Sequence, residues 1–107
     1  MATIISAYDL SGGDTTSTAI ATPNNVRLQF EVTGATSEQQ VAFATLQVND
    51  GTAYVDMADK DGRLVKYPIA GNVKFSKNHF GINSATMQVV IDATDCDGSL
   101  TVTSYES

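Results

Sequence analysis

The ten residues NVRLQFEVTG, Asn25 to Gly34, constrain this chain more than any others. Val26, Leu28, Phe30 and Val32 alternate without a break with Arg27, Gln29, Glu31 and Thr33. A side-chain period of two fits a strand with one face buried. It fits a helix badly, because a helix returns a residue to the same face only every three or four positions. The pattern recurs in TMQVVIDA, which sets Met87, Val89, Ile91 and Ala93 on one face. It recurs again in SLTVTSY, with Leu100 and Val102 inward, and in NVKFSK, with Val73 and Phe75 inward.

Between these runs the chain is punctuated by Asp-Gly steps: Asp50-Gly51, Asp61-Gly62 and Asp97-Gly98. Asp-Gly tolerates the positive φ of tight turns, so each reads as a hairpin tip. Tyr67-Pro68 and Ala70-Gly71 read as a further bend. TSEQQVAFATLQVNDG opens like a capping box at Ser37 and Gln40. Its β-branched and aromatic residues favour a short turn followed by a strand. SGGDTTSTAIATPNN is small and polar, a loop or a loose edge strand. The expected fold is an all-β, single-domain antiparallel β-sandwich over residues 1–107, jelly-roll or immunoglobulin-like. It should have about seven to nine short strands joined by Asp-Gly hairpins. The inward set is Val26, Leu28, Phe30, Val32, Val73, Phe75, Met87, Val89, Ile91, Leu100 and Val102.

At 107 residues the chain can bury a core without covalent staples, and its single cysteine offers no internal disulfide. The start MATIISAYDLSGGD lacks the basic and apolar regions of a signal peptide, and no apolar run is long enough to span a bilayer. The expectation is a soluble chain made in a cytoplasm, with no membrane partner.

Twelve acidic residues stand against six basic ones, for a formal charge of −6. Nucleic acid is not an expected partner, since phosphate contacts need clustered cations. Five of the six cations, Lys60, Arg63, Lys66, Lys74 and Lys77, fall within one short stretch opposed only by Asp61, with His79 just beyond. If Val65 and Val73 point inward, Lys66 and Lys74 point outward from what would be neighbouring strands. A solvated sheet face is one reading. The sharper one is a contact surface of Arg63, Lys66, Lys74 and Lys77, with Phe80 as an apolar anchor, for an acidic partner or another copy of the chain.

No motif carries chemistry. The frames ending in Asp97-Gly98 and Asp61-Gly62 fail the calcium-loop pattern, which needs an oxygen ligand at its first position and a glutamate at its last. Ala93 and Ser104 stand there in one frame, Met57 and Pro68 in the other. Cys96 lies between Asp95 and Asp97, anions that disfavour a reactive thiolate. His79 has no sequence neighbours that would build a metal site or a triad around it, and Phe80 and Ile82 beside it either plug the core or project. Phosphate-binding glycine loops and nucleophile elbows are absent. No cofactor, metal or catalytic residue is expected. With no tryptophan, only Tyr8, Tyr54, Tyr67 and Tyr105 are available to stack sugars in the alternative reading, a carbohydrate- or small-ligand-binding module.

The leaderless start MATIISAYDL, the strands rich in Thr, Ala, Gly and Ser, and the turns NDGTAYV, DKDGRLV and DCDGSLTV resemble the small all-β virion proteins of tailed bacteriophages: capsid decoration, neck, tail and fibre components. The resemblance implies a non-enzymatic, virion-associated structural role. Symmetric copies would pack on one another, or on other virion proteins at a capsid or tail surface.

Overall fold

The computed structural model describes residues 1–21, 24–49, 51–82 and 84–106. Thr22, Pro23, Asp50, Asn83 and Ser107 lie outside them, so the Asp50 half of the first Asp-Gly step is not described. The strands are β1 (Ala2–Asp9), β2 (Thr15–Thr16), β3 (Ile20–Ala21), β4 (Val26–Thr33), β5 (Val41–Asn49), β6 (Tyr54–Asp56), β7 (Lys66–Ala70), β8 (Val73–His79), β9 (Thr86–Asp92) and β10 (Ser99–Glu106). One 3-10 turn, Leu10–Gly12, follows β1, capped by the Asp9 carboxylate, which accepts from the Ser11 N–H.

Two antiparallel sheets result. The first runs β1-β10-β4-β8. In the second, β9 and β5 are central, β2 and β3 share the outer side of β9, and β6 and β7 share the outer side of β5. Counting each pair of short strands as one split edge strand gives eight strand positions, ordered 1-8-3-6 over 2-7-4-5. That is the strand order of a jelly roll, which decides between the two sandwich types left open by the sequence.

The clean alternation belongs to inner strands, which have partners on both sides and one face on the core. β4 buries Val26, Leu28, Phe30 and Val32; β9 buries Met87, Val89 and Ile91; β10 buries Leu100, Val102 and Ser104. Val73 and Phe75 on edge strand β8 pack against this core from a half-buried position. Phe30 is fully buried, stacks on Phe75 at 5.0 Å and meets Tyr67 edge-on at 6.3 Å, so one ring joins the two sheets. β5 is inner as well, but its parity is unusual. The small Ala42 and Ala44 face the core with Leu46, while Val41 and Phe43 face out.

Three sequence expectations are corrected. Asp97-Gly98 is no hairpin tip. β9 and β10 lie in different sheets, and the stretch arches across the end of the sandwich, as a jelly roll requires. Left-handed backbone at Asp95 (φ 55°) and Gly98 (φ 99°) makes the arch. A Cβ at Gly98 would stand 3.1 Å from the Thr33 carbonyl oxygen, so the side-chain-free residue is required there.

Tyr67-Pro68 is strand rather than bend. Pro68 pairs with Phe43 on an outer strand, where its missing N–H costs no ladder bond, and the chain turns at Gly71. Lys66 and Lys74 are not on neighbouring strands of one sheet, because β7 belongs to the second sheet and β8 to the first.

The other two glycine turns fall where expected. Gly51 (φ 103°) lies between the paired strands β5 and β6. Gly62 (φ 79°) closes a tip in which Asp59 Oδ1 accepts from the N–H groups of Asp61 and Arg63. Among the described residues no helix is long and apolar enough to cross a membrane.

Candidate docking flank

The strand order gives the sandwich two flanks. On one, β1 borders the β2–β3 edge, joined by the Thr18 N–H donating to the Ile4 carbonyl at 3.0 Å. On the other, β8 borders the β6–β7 edge, joined by a 2.9 Å hydrogen bond between Tyr67 Oη and His79 Nε2.

These flanks differ in charge. Residues 63–79, which build β7, the corner and β8, hold Arg63, Lys66, Lys74 and Lys77 and no carboxylate. Residues 1–21 and 86–106, which build β1 to β3, β9 and β10, hold Asp9, Asp14, Asp92, Asp95, Asp97 and Glu106 and no Lys or Arg. The sixth cation, Arg27, sits on β4 next to β8 and covers the Tyr105 ring at 4.2 Å.

On the basic flank the cations border one open edge from three directions. Lys66 projects from the outer face of the second sheet, 4.7 Å above the Phe43 ring. Lys74 projects from the outer face of the first sheet, 3.8 Å from Glu31, in the one ion pair found among the described residues. Both partners of that pair are exposed, so it contributes at most about 1 kcal/mol. Lys77 has the parity of Val73 and Phe75, so it leans into the gap between the sheets and lies 5.3 Å over the Tyr67 ring. These exposed cation–ring contacts hold the ammonium groups near the surface for about 0.5–1 kcal/mol each.

Arg63 is exposed in the tip that precedes β7, its N–H on Asp59 Oδ1. Lys66, Lys74 and Lys77 therefore line an edge rather than a sheet face. Sequence reasoning missed Tyr67 and Phe43, the rings beneath the lysines. The inverted parity of β5 is what puts Phe43 there, and nothing in the linear pattern signals it.

At one end of this flank lies a cleft of about 500 Å³, walled by Val48, Met57, Val65 and Ile82, with Asp56, Asp59, Lys60, Asn78 and His79 at its polar margins. The two apolar residues that follow β8 divide the roles anticipated for them. Ile82 packs on the core, and Phe80 stands at the cleft rim 77% exposed. His79 is half-buried. Burial, and secondly the Lys77 charge, lowers its pKa and keeps the imidazole neutral, so the Tyr67 phenol can donate to Nε2. Burial raises the Tyr67 pKa.

The opposite end gathers Asp9 and Asp97 in a shallow polar depression. Each carboxylate is already engaged. Asp9 accepts from the Ser11 hydroxyl and N–H, and Asp97 from the Thr36 hydroxyl and N–H, and these bonds lower both pKa values. The Asp97 backbone is further clamped by Gln40, which donates to its carbonyl and accepts from its N–H. Asp97 therefore ties loops together. Cys96 is buried inside the arch, its thiol 3.4 Å from the Thr94 carbonyl. Among the described residues no three His, Cys, Asp or Glu side chains cluster as metal ligands.

The tyrosines are dispersed. Tyr8 bonds the Gly13 carbonyl, Tyr54 bonds Thr86, Tyr67 bonds His79 and Tyr105 lies under Arg27. Among the described residues, none of the four principal surface concavities is lined by more than one of them. Comparison of the chain with protein-family models, with curated proteins and with solved structures finds no match.

Proposed function

We propose that this chain is a non-enzymatic structural module. In this reading a jelly-roll domain packs within a larger protein assembly, of the kind built by small all-β virion proteins. It docks its β7–β8 flank onto a carboxylate-rich protein surface. The observation that carries the reading is the charge segregation: four cations and no acid in residues 63–79 of one flank, six acids and no Lys or Arg in residues 1–21 and 86–106 of the other. Such a surface steers association and fixes register, while the apolar rings beneath and beside the lysines supply contact area. The acidic flank of a neighbouring copy is itself a carboxylate-rich surface, so the protein alone provides the first test.

Native mass spectrometry of the wild type should show a defined oligomer or partner complex that weakens as salt is raised and is lost in the double reversal Lys66→Glu/Lys74→Glu. A strictly monomeric protein at high concentration, with no bound partner and indifferent to the reversal, would sink the reading.

A further inference from the structure

We infer that β8 is a strand-acceptor edge, and that the flank docks by adding an extended segment of another protein, alternating apolar and acidic residues, to the first sheet. The inference rests on the proposed docking function and specifies its mode.

The edges of this sandwich differ sharply. β1 is kinked, with register shifts between Thr3 and Ile5 and between Ile5 and Tyr8 and a left-handed Ala7. β2 and β3 have two residues each, and β6 has three. β7 carries Pro68. Among the described residues only β8 presents an unbroken edge run, Val73–His79, paired residue for residue with β4 on one side and with no strand on the other. An open regular edge is a template for main-chain hydrogen bonding.

Beside it a groove of about 250 Å³ runs between the sheet edges, lined by Tyr67, Pro68, Val73, Phe75, Ser76 and Lys77. An added strand would point every second side chain into this groove, against Phe75 and Val73, where apolar residues fit. Its intervening side chains would lie on the outer face next to Lys74, where carboxylates fit. Lys77 at the groove's end also favours an acid.

The same lysines decide against a second copy as strand donor. Edge lysines and inward-leaning charges blunt strand-to-strand aggregation. A β8–β8 pair would bring Lys74 and Lys77 of both copies into one ribbon. The other edge of the first sheet is the bulged β1, which offers no regular strand. The cations thus repel a basic edge and admit an acidic one, so one feature provides both exclusion and selection.

The test uses the full chain, labelled with nitrogen-15, and an acetylated, amidated nonapeptide alternating valine and glutamate. Two control peptides replace every glutamate by lysine or the central valine by proline. The expected result is saturable binding with shift changes centred on residues 73–79 and slowed amide exchange on β8. Affinity should fall at least tenfold for each control peptide and for Lys74→Glu/Lys77→Glu.

No binding at millimolar peptide, binding centred elsewhere, or a β8-to-β8 dimer in the protein alone would overturn the inference. If assembly still responds to Lys66→Glu/Lys74→Glu while the peptide leaves β8 amides unprotected, the docking function stands and this mode of docking fails. If neither responds, both fail.

Discussion

Replacing Phe30 by Ala tests the architecture at the point where the sheets meet. Phe30 is fully buried in the centre of the first sheet, stacks on Phe75 and meets Tyr67 of the second sheet. Truncating such a ring removes its transfer free energy and leaves a cavity that the surrounding strands fill only in part, a cost of about 3–5 kcal/mol. At about 2.1 cal/mol/K of unfolding entropy per residue, this chain gains roughly 0.22 kcal/mol/K on unfolding, so Tm should fall by about 13–22 °C.

The matched control is Phe80→Ala, the same truncation at a ring that is 77% exposed. It should move stability by no more than about 0.5 kcal/mol, or about 2 °C. Differential scanning calorimetry of both variants gives the contrast directly. Equal losses at the two positions, or a larger loss at Phe80, would refute the assignment of inner and outer faces.

The glycine corners supply a second contrast. Gly71→Ala should cost clearly more than Gly62→Ala, because a Cβ at Gly71 would lie 2.8 Å from the Glu38 Cα, whereas Gly62 faces open space and incurs only the left-handed penalty of about 1–2 kcal/mol. Denaturant midpoints read both; equal costs would contradict the packed corner between the sheets. Burial lowers the His79 pKa below its ordinary 6.5, so the unfolded chain binds the proton more tightly. Its contribution to stability is therefore complete above about pH 6.5 and is lost as pH falls through the range between the unfolded and the depressed folded value. Urea titrations from pH 5 to 8 should show that slope, and His79→Gln should flatten it. Asp9 and Asp97 act in a separate window. Their lowered pKa values give stability that is present above about pH 4 and is lost on further acidification, and Asp97→Asn should shrink that acid limb.

The parts of the fold that were legible are the ones whose surroundings are simple. β4, β9 and β10 are inner strands with one face on the core, so each position sees either apolar packing or water, and the sequence alternates accordingly. The Asp-Gly steps announced turns, because few residues other than glycine take positive φ cheaply. Which turns were hairpins was not legible. A two-strand hairpin and an arch between sheets use the same local backbone, and only the partners of β9 and β10 distinguish them. β5 hid its parity because its core face carries alanines opposite a full layer from the other sheet, and its large residues lie outside. For the docking flank, the sequence showed that cations cluster but not how. Lys66 and Lys74 alternate with apolar neighbours much as residues of one face would. The corner at Gly71 nevertheless carries the chain to the other sheet, and the same charges come to border an edge.

Hydrogen–deuterium exchange on the assembled protein, compared with the dilute monomer, tests the docking flank most directly. Exchange should slow at residues 66–70 and 73–79 in the assembly. Protection absent from those two segments would contradict the account.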